Sequence, residues 1–347
     1  MRKVEEIYWL RAYGCIAVFL FHLLDHVNQR LDNVATDLMR LPLVLGTPIF
    51  LFISVFVFAV RYDKSVPDGF LAQRVKYVMV PYVVYGFIYS TAEWVSLRAS
   101  DEPVGFVANA IEYYVYAGWH GYFLIIAMQF YVAYWLFTRW QLWRLNPVPW
   151  LWGACVISMM YWGLAYWFDV DLPGYLLWIA PLGWIYVFFL ALVLVRYYPL
   201  APVSVLAQRP NWMQQMAHPA WLALLVALII AATFAGWLAF SSKEVWVIPF
   251  FVLFTLCAMR YLAMRYLARR TAPLWVRHIN AYSFGIYLAH PMFFVLTDLA
   301  LEPLSLPVGG YALVLVVVGV VGSVGLNKLA NTTALGAMLF GKQLKVS

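Results

Sequence analysis

"LRAYGCIAVFLFHLLDH", residues 10–26, decides the fold, because it reads as a membrane span and carries Arg11 and His22 well inside it. Ionisable groups within a span are costly and ordinarily have a partner or a task. The two side chains are eleven positions apart, so they differ by about 20° around a helix and by about 16 Å along it. Both therefore belong to one seam. His26, about 40° from His22, and Asp25, about 60° away, make one end of that seam polar. A plainer reading stays open, in which Arg11 snorkels to the headgroups and His22 bonds a neighbouring helix.

The rest of the chain agrees with a membrane reading. Of 347 residues, 65% are hydrophobic and only 11% charged, too little charge to cover a soluble domain of this size. The 17 Trp and 24 Tyr suit interfacial aromatic belts. A net charge of +7 does not indicate nucleic acid, since the basic residues lie in short loops between spans and not along one face. Cys15, Cys155 and Cys257 all fall in apolar segments, which argues against a disulfide framework or a cysteine metal cluster. The first apolar stretch is long enough to span and lacks a small-residue cleavage site, so it is expected to remain as the first helix.

At roughly 20 apolar residues per span, ten candidates appear, near 5–27, 43–60, 77–97, 120–138, 149–168, 175–195, 219–240, 245–264, 281–300 and 308–328. Within 149–195 only Asp169, Asp171 and Pro173 interrupt a long apolar run. With the N-terminus inside, 17 of the 23 Lys and Arg fall in inner segments: Arg2, Lys3, Arg61, Lys64, Arg74, Lys76, Arg139, Arg144, Arg196, Arg209, Arg265, Arg269, Arg270, Arg277, Lys328, Lys342 and Lys345. Only Arg30, Arg40, Arg98 and Lys243 fall outside. That asymmetry predicts an all-α integral membrane bundle of about ten transmembrane helices, both termini cytoplasmic, in the cell membrane. One domain, 1–347, is expected, with no separate soluble domain. Gly319, Gly322 and Gly325 predict close helix packing in the last span, and no internal repeat supports an inverted-repeat transporter.

Five stretches carry a family resemblance, in order along nearly the whole chain. "LRAYGCIAVFLFH" has the Arg–ten residues–His spacing that opens the acyltransferase family 3 membrane proteins. "LGTPIFLFISVFVF" (45–58) resembles their second helix and "RVKYVMVPYVVYGFIYSTAEW" (74–94) their third. "WHGYFLIIAMQFYV" (119–132) is similar to the family's aromatic–Gln segment, and "SFGIYLAHPMFF" (283–294) to its late Ile-Tyr-Leu-x-His-Pro motif. The resemblance implies transfer of an acyl group from cytoplasmic acyl-CoA to a glycan hydroxyl at or beyond the outer face, with Arg11 and His22 as motif residues. Acetyl-CoA or succinyl-CoA would be a co-substrate and no cofactor would be tightly bound. Many family members carry an added soluble hydrolase-like domain; none is expected here, so transfer would finish within the membrane body.

The residue chemistry is compatible with those roles. Arg11 offers a permanent charge and a fork of donors for phosphate or carbonyl oxygens. His22, with an ordinary pKa near 6.5, suits removal of a proton from a sugar hydroxyl. A base gains from a partner that fixes its tautomer. Glu93 is the first candidate, about 24 Å from the inner side against about 22 Å for His22, and the resemblance also places a Glu there; Asp25 competes. Arg74 and Lys76, at the inner start of the third helix, could hold donor phosphates or merely follow the positive-inside rule. His290, about 14 Å above the inner end of its span, could line an acyl channel or bond at a proline kink. Gln129 could donate to the thioester oxygen or tie helices together. Trp119, His120 and Tyr122 could stack on a sugar at the outer mouth, with Asp25 also on the acceptor side, or serve as belt anchors.

No metal site is expected: His22 and His26 form the only i,i+4 histidine pair. Neither a phosphate-binding glycine loop nor a serine nucleophile elbow is present. The leading expectation is a membrane O-acyltransferase acting on an extracellular or envelope polysaccharide, in contact with the lipid bilayer and a polysaccharide synthase. The alternative is an exporter of that polysaccharide, with Arg11, His22 and Glu93 along its path. A purely structural synthase subunit would leave the polar seam without a role. For an acyltransferase, Arg11 and His22 should face one enclosed cavity open to the cytoplasm.

Overall fold

A computed structural model describes residues 4–31, 34–97, 105–197, 211–238, 240–266, 271–301, 306–333 and 335–341. Arg2, Lys3, Arg98, Arg209, Arg269, Arg270, Lys342 and Lys345, which entered the charge count above, lie outside the described residues. All regular structure among the described residues is helical: α1 (Glu5–Leu31), α2 (Val34–Arg40), α3 (Gly46–Tyr62), α4 (Phe70–Arg74), α5 (Val80–Leu97), α6 (Phe106–Tyr114), α7 (Tyr122–Arg139), α8 (Pro147–Trp167), α9 (Leu176–Ile179), α10 (Ile185–Tyr197), α11 (Asn211–Met216), α12 (Pro219–Phe234), α13 (Lys243–Tyr266), α14 (Leu274–Leu301), α15 (Val308–Asn331) and α16 (Leu335–Phe340). One π-helical turn, Val75–Met79, joins α4 to α5. Below, the end of the bundle where α1 begins is called proximal and the end where it finishes distal.

Six stretches are long and apolar enough to cross a membrane: Glu5–Arg30, Thr36–Tyr62, Pro147–Trp167, Lys243–Met264, Leu274–Leu301 and Val308–Asn331. The other four expected spans also fall on helices, but shorter or less apolar ones. α5 and α7 have 18 residues each, and α12 has 16. The expected 175–195 span is broken into α9, a 3-10 turn at Pro181–Gly183 and α10 of 13 residues. Pro181 supplies no N–H to continue the ladder, so the chain turns there instead of crossing as one rod.

Helix starts follow local chemistry. Asn146 accepts from the Val148 N–H at 3.1 Å, with Pro147 in the first turn of α8. His218 caps α12 in the same way, its Nδ1 accepting from the Ala220 N–H at 3.2 Å, ahead of Pro219. α8 ends where Asp169 takes a positive φ of 48°.

α1 lies inside the bundle, packed on α3, α13, α14 and α15. Its approach to α3 needs Gly46, where a Cβ would meet Val18 Cγ2 at 2.6 Å and the Val18 backbone nitrogen at 3.1 Å. α14 pins α1 at both ends. Proximally, Glu5 accepts from the Ala272 N–H at 2.8 Å and from Arg277 at 3.3 Å, and Asn280 donates to the Tyr8 carbonyl at 2.7 Å. Distally, His26 meets Asp298 at 2.7 Å, while Asp298 also accepts from Tyr311 of α15. The seam carrying Arg11 and His22 is therefore held in a fixed rotation against α14.

Candidate active site

Three histidines from three elements converge distally. His22 comes from α1, His290 from α14, and His120 from the irregular segment before α7. The His22 ring lies 5.3 Å from His290 and 6.3 Å from His120, and the last two are 6.1 Å apart, all between centroids. Sequence distance hid this cluster; only depth along each helix hinted at it.

Pro291 explains how α14 presents its histidine. A proline inside a helix removes one rung of the ladder and opens it locally. The Tyr89 hydroxyl of α5 enters the opening, donating to the Leu288 carbonyl at 2.9 Å and accepting from the Met292 N–H at 3.1 Å. His290, fully buried, places Nδ1 2.7 Å from the Ile286 carbonyl. A carbonyl only accepts, so Nδ1 carries the proton and Nε2 presents a lone pair. That Nε2 is buried without a hydrogen-bond partner. His120 likewise has a covered, unpartnered Nε2, and its own carbonyl accepts from Tyr287 at 2.5 Å. Two imidazoles, each with a covered and unpartnered Nε2, thus stand beside His22.

His22 is the exposed member, with 32% of its side chain open to a cavity of about 430 Å³. Its Nδ1 lies 3.7 Å from the Asp25 carboxylate, and Asp25 is ion-paired to Arg40. Arg40 is held by the ring faces of Phe21 and Phe240, at 4.7 and 4.8 Å. A carboxylate beside Nδ1 favours the proton there and leaves Nε2 of His22 as the basic atom. Tyr122, Tyr175, Trp162, Trp178 and Trp184 wall the cavity, and Lys243 and Glu244 complete it. Tyr122 stacks on Tyr175 at 4.5 Å. Glu244 accepts from Tyr166 and from Trp178 Nε1, the latter at 3.1 Å, and pairs with Lys243 at 3.1 Å. An anionic group fixed among aromatic faces can bind hydroxyl donors while the rings cover apolar surface.

The expected residues divide accordingly. His22, Asp25 and Tyr122 reach the cavity, and His290 stands directly behind it. Glu93 does not reach His22. It is exposed on α5 and bonds Tyr113 of α6, because the α5–α6 contact turns that face of α5 away from α1. Trp119 is not at a mouth: it is 5% exposed and packs on Tyr82 and Tyr89 at 5.2 and 5.6 Å, where it backs His120. Gln129 lines a different, apolar cavity, and its carbonyl oxygen is covered by protein. Its place on α7, two turns from Tyr122, carries it past the histidines. Glu244, Lys243, Arg40 and Tyr89 were not picked out as site residues; a carboxylate opening an apolar stretch was the one signal for Glu244.

Arg11 does not share the histidine cavity. It is half-buried proximally and, among the described residues, has no carboxylate partner. Arg11 and Arg74 both act electrostatically on the Tyr131 hydroxyl, which lies 3.4 Å from Ser54 Oγ. Arg74 rests on Phe58 and Phe70 at 4.9 and 5.3 Å, with its Nε covered and unpartnered. Lys76 is exposed over Tyr77, apart from that pair. Along α3, Thr47 lines the histidine cavity and Ser54 belongs to the arginine cluster. Phe50, between them, meets Phe123 at 6.0 Å and Tyr287 at 6.5 Å. This aromatic layer lies between the histidine cavity, which Phe123 and Tyr287 line, and the arginine cluster. Among the described residues, no three His, Cys, Asp or Glu converge as a metal-binding group.

Comparison with known proteins agrees with this architecture. A family model described as an acyltransferase domain matches residues 4–328. A Bacillus subtilis (strain 168) protein, provisionally named membrane-bound acyltransferase YfiQ, is 27% identical over 98% of this chain and 95% of its own length. A Staphylococcus epidermidis protein, provisionally named a poly-β-1,6-N-acetyl-D-glucosamine export protein, is 26% identical over 84% of this chain and 81% of its own. Its Staphylococcus aureus (strain MW2) namesake is 31% identical over 38% of each chain. No solved structure matches. A match over nearly the whole chain places this protein in the acyltransferase family 3 of membrane proteins.

Proposed function

We propose that this protein is a membrane O-acyltransferase that moves an acetyl or succinyl group from acyl-CoA to a hydroxyl of an envelope or extracellular polysaccharide. The observation that carries the reading is a half-exposed His22, oriented by Asp25 and flanked by two further imidazoles, on a cavity walled by aromatic rings and Glu244. In this scheme His22 Nε2 takes the proton of the acceptor hydroxyl as its oxygen attacks the thioester carbonyl carbon. The carbon–sulfur bond then breaks, and the leaving thiolate takes the proton back from the imidazolium. Arg11 and Arg74 hold the donor proximally, on the cytoplasmic side, with both termini there and α5, α7, α10 and α12 completing ten crossings. The donor arm reaches His22 once Phe50, Phe123 and Tyr287 part. A synthase would supply the glycan, and the names of the staphylococcal relatives favour a β-1,6-linked N-acetylglucosamine polymer.

Those same names favour a second reading, export of the polymer. Protein in nanodiscs, given radiolabelled acetyl- or succinyl-CoA and β-1,6-linked N-acetylglucosamine oligosaccharides, should label the oligosaccharide. No transfer from either donor, together with protein-dependent movement of the oligosaccharide into liposomes, would replace transfer by export.

A further inference from the structure

At the proximal end, away from the histidines, α7, α8 and α10 enclose an apolar cavity of about 310 Å³ lined by Phe130, Phe137, Trp150, Ile185, Phe188 and Phe189. It shares Phe137, Leu145 and Pro147 with a basin of about 810 Å³ that holds Asp63, Arg144 and Arg196. A third recess, sharing Trp143 and Arg144 with that basin, adds Lys64, Asp68 and Arg139. Four cations and two carboxylates thus surround the polar end. Among the described residues, none of the four cations has a carboxylate within ion-pair distance. Arg196 is instead fixed by donating to the Leu145 carbonyl at 2.8 Å, where the apolar and basic recesses meet. Trp140 and Trp150, 64% and 54% exposed, flank the opening as headgroup-level rings do.

We propose that this composite cleft binds one phospholipid with an anionic headgroup, its acyl chain between α7, α8 and α10 and its phosphate against Arg144 and Arg196. Basic recesses between membrane helices recognise such headgroups through phosphate–guanidinium bonds. A hydrocarbon chain brings no hydrogen-bonding groups into the apolar recess. The arm of coenzyme A would bury two amides and a hydroxyl there against a mostly apolar wall whose one amide side chain, Gln129, cannot satisfy them all, which is costly. That comparison selects the lipid over the nucleotide donor. The proposal is independent of the acyltransfer scheme, because neither recess includes His22, Arg11 or Arg74.

Native mass spectrometry of the purified protein tests it, after exchange into equal mixtures of phosphatidylglycerol and phosphatidylcholine of the same chain length. One phosphatidylglycerol should be retained in preference by about tenfold or more. The Arg144→Gln/Arg196→Gln variant should lose the preference, and Arg144→Lys/Arg196→Lys should keep most of it. Ala133→Leu, which narrows the apolar recess, should reduce retention of both lipids. Equal retention of the two lipids by wild-type protein overturns the proposal, as does undiminished preference in the double Gln variant. Displacement of bound phosphatidylglycerol by coenzyme A would assign the cleft to the nucleotide instead. The wild-type comparison decides the matter even if a variant fails to fold.

Discussion

Tyr89→Phe isolates the link between the kinked α14 and the histidine cluster. The substitution keeps the ring, and hence its contacts with Trp119 and His120 at 5.6 and 4.9 Å. It deletes only the hydroxyl that bridges the Leu288 carbonyl and the Met292 N–H. The clearest loss is at Met292, whose N–H is left without its acceptor in the opened helix. A buried donor in that position costs about 1–3 kcal/mol. For a chain of 347 residues that corresponds to roughly 1.5–4 °C in Tm. Thermal unfolding in detergent, followed with a thiol-reactive fluorophore, reads this directly because Cys15 is only 4% exposed in the folded state. Turnover should fall as well, since Tyr89 holds the segment that sets His290 beside His22. A Tm within 1 °C of wild type, with unchanged turnover, would refute the bridging role.

Gly46→Ala forces a methyl against Val18 of α1 and should destabilise the protein by about 1–3 kcal/mol, read in the same unfolding assay. Asp25→Asn removes the carboxylate beside His22 Nδ1 and should lower kcat at least about tenfold, with Arg40 still in place; an unchanged kcat would free Asp25 from that role. Glu244→Gln keeps the shape of the far wall but removes its charge, so it should raise the KM for the oligosaccharide more than it changes kcat. Phe50→Trp thickens the aromatic layer and should slow transfer while leaving acyl-CoA binding near wild type, measured by equilibrium titration.

Much of this site was written into single helices. Arg11 and His22 share a seam because helical arithmetic over eleven residues is insensitive to the rest of the fold. The same arithmetic sets His290 at about 14 Å against about 22 Å for His22, below the level at which the two rings meet at 5.3 Å. What sequence could not supply is the rotation of one helix against another. Glu93 matches His22 in height, yet α6 claims its face of α5. Trp119 has the composition of a belt residue, but the turn before α7 folds inward and buries it between Tyr82 and Tyr89. Glu244 belongs to a distant part of the chain and meets His22 only across the cavity. The gap after α8 was foreshadowed by Asp169, Asp171 and Pro173, but the break at Pro181–Gly183 inside the expected 175–195 span was not, and the turn into α9 depends on the Tyr175 N–H reaching the remote Tyr116 carbonyl at 2.7 Å. The aromatic layer of Phe50, Phe123 and Tyr287 is likewise assembled from three helices, so the separation of Arg11 from the histidine cavity was not legible from any one of them.

The central claim is that the His22 imidazole removes the acceptor proton. Its most direct test is kcat for wild type and His22→Gln in nanodiscs at saturating acyl-CoA and oligosaccharide, with donor affinity measured separately. The substitution should lower kcat about a hundredfold to ten-thousandfold, with donor affinity nearly unchanged because Arg11 and Arg74 remain. A His22→Gln enzyme that turns over within threefold of wild type would contradict it.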